Sequence, residues 1–505
     1  MKEPFDYLST NDKSASRFHR DTEKIISSNF DTDRDRIIYS KEFRRLKGKT
    51  QVFVSGFDDH VRNRLTHTIE VSQIAQRISK ILGFNETLTE AIALAHDVGH
   101  TPFGHIGERT LNFIMNGCDR IHTQYRIYEN QKGFKHNWQG VRVVSDLERF
   151  SRTHPGINLT NYTIWGILHH SNLSYKECGN FFTDFVPVNE TEQKKVNKCN
   201  LRHKYLDCNV EGSGLKLSFY DTYVKQMNIT SWSFEALVVR IADEIAQRSH
   251  DIEDSLLAKL LTKAELIDKI KSTTTTEVPS LYHFFTQSEK IAFNKIIKTE
   301  NHSYFVRQFS VFIINFLISQ LIRQTSQNLI HFSKQYKLKK EQDFQNQKRE
   351  ISKNLKNEDL YELVSYDKDF SKTEFDFQKF MWNRILHSHL TQTMDNKANY
   401  ILRNLVKAYV TNPKQLPDET IISLFKRLFT VEEWEREYKR FSYKELSGVL
   451  RNLLTTYHHQ SNSEIYKNTL LRTICDFIAG MTDDYAINQF QILYGSSQVF
   501  KNHVA

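Results

Sequence analysis

From His67 onward the apolar positions Val71, Ile74, Ala75, Ile78 and Leu82 recur three or four residues apart, the spacing of one face of an α-helix. This predicts a helix over 67–82, ended by Gly83, with His67 on the buried face one turn before Val71. A second helix is expected over TLTEAIALAHDVGH (87–100), opened by a capping box of Thr87 and Glu90. It is apolar nearly all round and so should lie at the centre of the fold. Pro102 and Gly104 should break it and swing His105 back over its end. A third helix is predicted from about Phe234 to Leu257. Leu237, Val238, Ile241, Ile245 and Ile252 form its apolar stripe, and Asp243, Gln247, Asp251 and Asp254 step along an adjacent face.

Residues 31–52 are rich in Arg and Lys but place Ile37, Ile38, Phe43 and Leu46 at helical spacing, which predicts a helix whose basic face points at a partner. The longest apolar stretch, Ser310–Ile322, is interrupted by Asn315, Ser319 and Gln320. It is shorter than the ~20 residues of a membrane span and reads as a buried helix. The run 337–359 reads as a charged helix or a mobile segment. With only 7 prolines and 17 glycines in 505 residues there are few hairpin signals, so the expected fold is all-α. A single core usually stops growing near ~250–300 residues. The chain is therefore expected to comprise an N-terminal arm (1–30), a helical core (31–270, with 171–230 as an insertion or lid) and a C-terminal helical region (271–505). STTTTEVPS (272–280) is the linker candidate, and no internal repeat is found.

Charge adds a modest constraint. Lys and Arg number 69 against 60 for Asp and Glu, a formal charge of +9 that favours a polyanionic ligand without saying which. The five cysteines (Cys118, Cys178, Cys199, Cys208, Cys475) are scattered, as suits a reducing cytosol, and Cys199, His203 and Cys208 lack the paired spacing of a structural zinc site. The start, MKEPFDYLSTNDK, has no apolar core of a signal peptide. A cytoplasmic protein with no membrane partner is expected.

A His–Asp pair at the end of a buried helix is costly unless its polar groups are satisfied, and a metal satisfies them directly. Alone, the dipeptide His96–Asp97 says little. Together with His67 and Asp243 it supplies two imidazoles and two carboxylates, a ligand set for one divalent ion, and HDVGHTPFGHIGE (96–108) adds His100, His105 and Glu108 nearby.

This joint pattern resembles the HD-domain metal phosphohydrolases. The segments RDRIIYSKEFRRLKGKTQVF (34–53), RNRLTHT (62–68), HDVGHTPFGHIGE (96–108), FKHNWQGVRV (134–143), ADEIAQRSHDIED (242–254) and DFIAGMTDDYA (476–486) are similar, in order and spacing, to the deoxyguanosine triphosphate triphosphohydrolase family. The resemblance covers most of residues 30–255 and one C-terminal stretch. It implies an HD-domain helical core with a C-terminal helical extension, and release of inorganic triphosphate from a deoxynucleoside triphosphate, dGTP foremost. It also implies one divalent ion on His67, His96, Asp97 and Asp243. Mg²⁺ and Mn²⁺ lead, and Fe²⁺, Co²⁺ and Zn²⁺ suit the same mixed N and O ligands.

His105 is then the acid–base group, either activating water or protonating the leaving 5′ oxygen, with Glu108 orienting its imidazole. The resemblance assigns phosphate contact to Arg64 and to His136, which is otherwise a surface histidine, and places His100 in the substrate site. Gln51 and Val52 match positions that touch sugar and base, and Asp251 a carboxylate that accepts from the sugar 3′ hydroxyl. Two positions depart from many relatives: Gln247 stands where a sugar-packing tyrosine is found, and Asp484 where an arginine is found. Tetramers or hexamers are common in the family, and single-stranded DNA or a nucleotide is a possible effector.

Other readings use the same residues. HDIED (250–254) resembles a string of guanosine tetraphosphate hydrolases, but it follows an already complete metal set. Neither a GYP tripeptide nor the extra metal ligands of cyclic-dinucleotide phosphodiesterases appear. An HD-domain nucleotide phosphatase or phosphodiesterase of other specificity is the alternative enzyme. A single-stranded nucleic-acid binder with a vestigial site is the non-enzyme alternative, allowed by the basic 34–49 segment and by 22 tyrosines and 35 phenylalanines.

Overall fold

The computed structural model describes residues 5–21, 27–51, 62–115, 133–151, 154–171, 173, 220–273, 278–460 and 463–495. Among them every regular element is helical, joined only by isolated bridges such as Thr50 to Asn63, so the all-α expectation holds. Val52, four of the cysteines (Cys118, Cys178, Cys199, Cys208), most of the expected 171–230 insertion and part of the 272–280 linker lie outside the described residues.

Eight helices frame the site: α1 (Asn29–Ile38), α2 (Lys41–Arg45), α3 (Arg64–Leu82), α4 (Glu86–Ala95), α5 (Gly104–Met115), α6 (His136–Arg142), α7 (Asn161–His169) and α8 (Phe234–Leu257). The central helices α3 and α4 pack on each other and on α8, and α4 also packs on α1. Gly83 ends α3 in the left-handed region (φ 86), as its sequence suggests. The start of α4 corrects the sequence reading. Asn85, not Thr87, is the N-cap, its side chain accepting from Leu88 N at 3.0 Å. Asn85 N in turn donates to Glu235 Oε1 (3.0 Å), so a contact from α8 fixes the cap two residues before the proposed box.

Part of the basic face of residues 31–52 meets partners within the chain, while Lys41, Arg44 and Lys47 are exposed. Arg36 pairs with Asp21 (2.7 Å) and donates to Asn158 O, Arg34 pairs with Asp31 (3.1 Å), and Arg45 reaches Glu42. The apolar stretch 310–322 lies within a longer helix, His302–Gln335, which is long and apolar enough to cross a membrane. Of its apolar window, 61% is buried inside the protein, and Phe309, Ile313 and Phe316 belong to the main core. The charged segment 337–359 contains a helix, Glu341–Asn354, held down by the buried Phe344 and Ile351.

Among the described residues most buried apolar side chains fall into two clusters. The larger joins α1, α3, α4, α6, α7 and α8 to residues on both sides, from Phe5 and Leu8 to Met381. The smaller joins α5 and Phe134 to residues 398–486. The turn carrying His96 to His105 crosses from one to the other: Val98 packs in the first, Phe103 and Ile106 in the second.

Candidate active site

Each polar residue of the site is placed by a nearby structural constraint. His67 sits on the first turns of α3, whose N-cap Asn63 accepts from Thr66 N. His96 and Asp97 follow the last turn of α4, and Asp243 projects from the middle of α8. Gly99 allows α6 to approach this turn: a Cβ there would stand 2.1 Å from both Gly140 N and His136 O. Phe103 and Gly104 both have positive φ (60° and 58°) and reverse the chain into α5. That reversal is pinned by Asp483 Oδ1, which accepts from Phe103 N at 2.8 Å.

The structure brings His67, His96, Asp97 and Asp243 together. His67 Nε2 lies 3.0 Å from Asp243 Oδ1 and 4.0 Å from Asp97 Oδ2, and His96 Nε2 lies 3.4 Å from Asp97 Oδ1 and 3.8 Å from Asp243 Oδ1. One ligand atom each from His67, His96 and Asp243 fall within 4.8 Å of one another. Burial opposes ionisation of both aspartates, but the neighbouring histidines, and Arg64 for Asp97, outweigh it and hold both carboxyls below their ordinary value.

The donor set fits a divalent ion. His96 Nδ1 donates to Ala93 O (2.7 Å), which leaves the lone pair on Nε2, and that nitrogen is buried without a hydrogen-bond partner. His67 reaches the same state through a relay. His250 Nε2 donates to Glu70, so its Nδ1 accepts from His67 Nδ1 (3.3 Å) and turns the lone pair of His67 Nε2 toward the carboxylates. Burial pushes His250 down to about 4 despite Glu70, which keeps it neutral in this role. Glu70 is itself brought down to about 2, against burial, by His250 and Arg62. His250 and Glu70 escaped the sequence reading, although HDIED had drawn attention to the string that contains one of them.

The remaining predicted residues separate. Arg64 Nη1 donates to Asp97 Oδ2 at 2.6 Å, while its Nε and Nη2 are buried without partners. His100 Nε2 lies 3.2 Å from Asp97 Oδ1, and its ring stacks on His136 at 3.9 Å. His136 is buried, not the surface histidine of the plainer reading. Its Nδ1 lies 2.5 Å from Glu108 Oε2, whereas His105 Nδ1 is 3.9 Å from the same oxygen and its side chain is 60% exposed. Glu108 thus meets two imidazoles, the buried His136 closely and His105 at the longer distance, and takes Lys135 Nζ (3.1 Å) on its other oxygen. Gln51 Oε1 and Asp251 Oδ2 are buried without hydrogen-bond partners, Asp251 Oδ2 lying 3.9 Å from Arg248 Nη1. Burial raises Asp251 to about 7, with Arg248 working against the rise. Gln247 is half-buried on α8. Asp484 is exposed, whereas Asp483 beside it is buried and also accepts from Thr50 N (3.0 Å) and Thr50 Oγ1. Lys49 Nζ closes the same junction on His100 O (2.5 Å) and Ala479 O (3.0 Å).

Histidines and carboxylates presented this way, on helices that cross at one buried point, make a metal-dependent hydrolytic centre. A family model described as the HD domain matches residues 64–207, and one described as a phosphohydrolase-associated domain matches residues 443–492. The chain is 29% identical over 497 residues to a deoxyguanosinetriphosphate triphosphohydrolase-like protein of Bartonella quintana, covering 98% of this chain and 96% of the relative. It is 28% identical over 493 residues to a protein of the same description from Rickettsia rickettsii, covering 98% of each. The fold and site thus define an HD-domain, metal-dependent phosphohydrolase. Within that class the chain is similar along nearly its whole length to deoxyguanosinetriphosphate triphosphohydrolase-like proteins.

Proposed function

We propose that the chain hydrolyses deoxynucleoside triphosphates, dGTP foremost, to the deoxynucleoside and inorganic triphosphate. The observation that carries the reading is a set of buried polar atoms without hydrogen-bond partners: Arg64 Nε and Nη2, His96 Nε2, His100 Nδ1, Gln51 Oε1 and Asp251 Oδ2. Leaving such groups unmatched costs about 1–3 kcal/mol each, so a site with this many is built for a polar ligand. The relatives' description supplies the nucleotide.

His67, His96, Asp97 and Asp243 would hold a divalent ion, Mg²⁺ or Mn²⁺ foremost, which supplies Lewis-acid polarisation of the phosphoryl group under attack. Arg64 keeps one nitrogen on Asp97 and offers the others to phosphate oxygens. His100 and His136 bind along the same phosphate chain. His105, on the exposed side, moves the proton, either from the attacking water or to the 5′ oxygen, and Glu108 sets the imidazoles of this arm. Gln51 and Val52 meet sugar and base, Gln247 lies where relatives pack a tyrosine on the sugar, and Asp251 accepts from the 3′ hydroxyl. The same reading includes a cytoplasmic homo-oligomer, tetramer or hexamer, with single-stranded DNA or a nucleotide as effector.

The test is incubation of the purified protein with each dNTP and with GTP, in Mg²⁺ or Mn²⁺, with products resolved by ³¹P NMR and chromatography. Inorganic triphosphate plus deoxynucleoside is expected. Orthophosphate or pyrophosphate would replace the reading with a phosphatase or phosphodiesterase of other specificity. Absence of turnover, with salt-dependent binding of single strands that survives His96→Ala, would replace it with a nucleic-acid binder.

A further inference from the structure

Lys49 is buried at the edge of the site and takes no part in the reaction described above. It joins three elements. Its carbonyl accepts from Arg64 N (3.0 Å) at the start of α3, while its Nζ donates to His100 O (2.5 Å) in the His–Asp turn and to Ala479 O (3.0 Å) at the end of the helix Glu464–Ala479. Its side chain is fully shielded from solvent. An ammonium has three N–H donors, and the carboxylate oxygen nearest to it among the described residues, Glu42 Oε2, is 3.8 Å away, beyond hydrogen-bond reach.

The protein meets this charge only in part. The charged groups that act on it are Glu42 and Arg45 from α2, Arg64 from α3 and Asp483 from the helix Asp483–Tyr494. Glu42 gives its other oxygen to Arg45, and Asp483 is engaged by Thr50 and by Phe103 N. Arg64, already set against Asp97, repels Lys49. Burial pushes the ammonium down to about 8, with Arg45 and Arg64 adding to the push and Glu42 and Asp483 opposing it. A methionine of similar volume would fill the space without the cost of a buried charge. A cation kept here calls for a negative partner that arrives from outside, and the neighbouring cation, Arg64, has two nitrogens without partners.

We propose that Lys49 is a positioning residue for a polyphosphate: its side chain holds the His100 turn in place, and a bound triphosphate supplies the rest of its counter-charge without touching it. The inference rests on the triphosphate reading above. Lys49 is charged below about 8 and neutral above it, and a nearby anion favours the charged form. Affinity for the polyphosphate should therefore fall as pH rises through that value, and binding above it should take up a proton. The fall is separate from the rise that Asp251 gives at about 7.

The test uses the full chain with Mg²⁺ and a dGTP analogue in which a methylene replaces the 5′ oxygen, so that the ligand binds and persists. Calorimetric titration at about pH 8.5, in buffers of different ionisation enthalpy, counts the protons taken up, and roughly half a proton per ligand is expected of the unaltered protein. In Lys49→Met the uptake should vanish, with affinity about tenfold weaker at neutral pH and no longer falling as the solution is made alkaline. Lys49→Arg, charged throughout, should restore the affinity without the uptake. Binding by the unaltered protein without uptake overturns the proposal and leaves the hydrolase reading intact, as does uptake that persists in Lys49→Met. If Lys49→Met does not fold, Glu42→Gln decides: it removes the nearest carboxylate, so the onset of uptake should move to lower pH, and an unmoved onset overturns the proposal. Absence of analogue binding removes the proposal, and the turnover assay above then decides separately whether the hydrolase reading stands.

Discussion

Arg64 Nη1 donates to Asp97 Oδ2 at 2.6 Å, with both side chains almost completely buried, so a cation of the protein itself stands against the central carboxylate of the site. The same guanidinium has two nitrogens left for a ligand. Arg64→Met keeps the volume and removes both functions. A loss on the order of 10²–10³-fold in kcat is expected, measured by steady-state turnover of the best dNTP.

His250 and Glu70 touch no ligand atom in the proposed scheme, yet they decide which nitrogen of His67 carries the lone pair. His250→Phe removes the acceptor for His67 Nδ1. Mn²⁺ affinity should fall by roughly 10–100-fold, read by metal titration, while His250→Phe at saturating Mn²⁺ recovers most of its turnover.

Gly99→Ala tests whether the close approach of α6 to the His–Asp turn is needed. The added methyl would meet backbone atoms, Gly140 N and His136 O, neither of which can rotate away. The two segments must separate, at a cost of about 1–3 kcal/mol. Thermal unfolding should show a lower Tm, and the variant should lose rate beyond what its unfolded fraction explains, because His136 moves away from Asp97.

Asp251 has an ionisation raised to about 7 by burial. Below that pH it is mostly neutral, and above it the carboxylate that accepts from a 3′ hydroxyl is formed. The kcat/KM for a deoxynucleotide should therefore rise as pH increases through 7. In Asp251→Asn this rising limb should vanish from the pH profile, with a lower plateau, whereas a limb that persists assigns the titration to another group.

Asp483 binds Thr50 and Phe103 at once, tying the Gln51 loop to the turn before His105. Asp483→Asn keeps the shape and weakens both contacts. Turnover should drop by about 10²-fold through misplacement with Mn²⁺ affinity unchanged, and parallel loss of metal would place Asp483 in general folding instead.

The parts of this site that could be read along the chain are those with a local signature. His67 precedes Val71 by one helical turn, His96 ends an apolar helix, and Asp243 lies beside the stripe of α8, so periodicity alone places three of the proposed ligands at helix positions facing one core. The N-cap of α4 was misread because Glu235, distant in sequence, fixes Asn85. His250 and Asp483 were not legible for a related reason. Each acts through a partner brought near only by tertiary packing, and each sits in a stretch whose local pattern is complete without it. Glu108 shows a further limit: spacing placed it one turn from His105, but spacing along one helix cannot see His136 arriving from another.

The two apolar clusters meet at the turn between Val98 and Phe103. The proposed metal-binding residues are thereby rooted in one body, while His105 is carried by a helix whose neighbours, Phe103 and Ile106, are rooted in the other. Drift in the sequence of the C-terminal half, far from any functional side chain, would then register as a faster or slower enzyme of unchanged metal content. Relatives of this chain could diverge in tempo long before they diverge in chemistry.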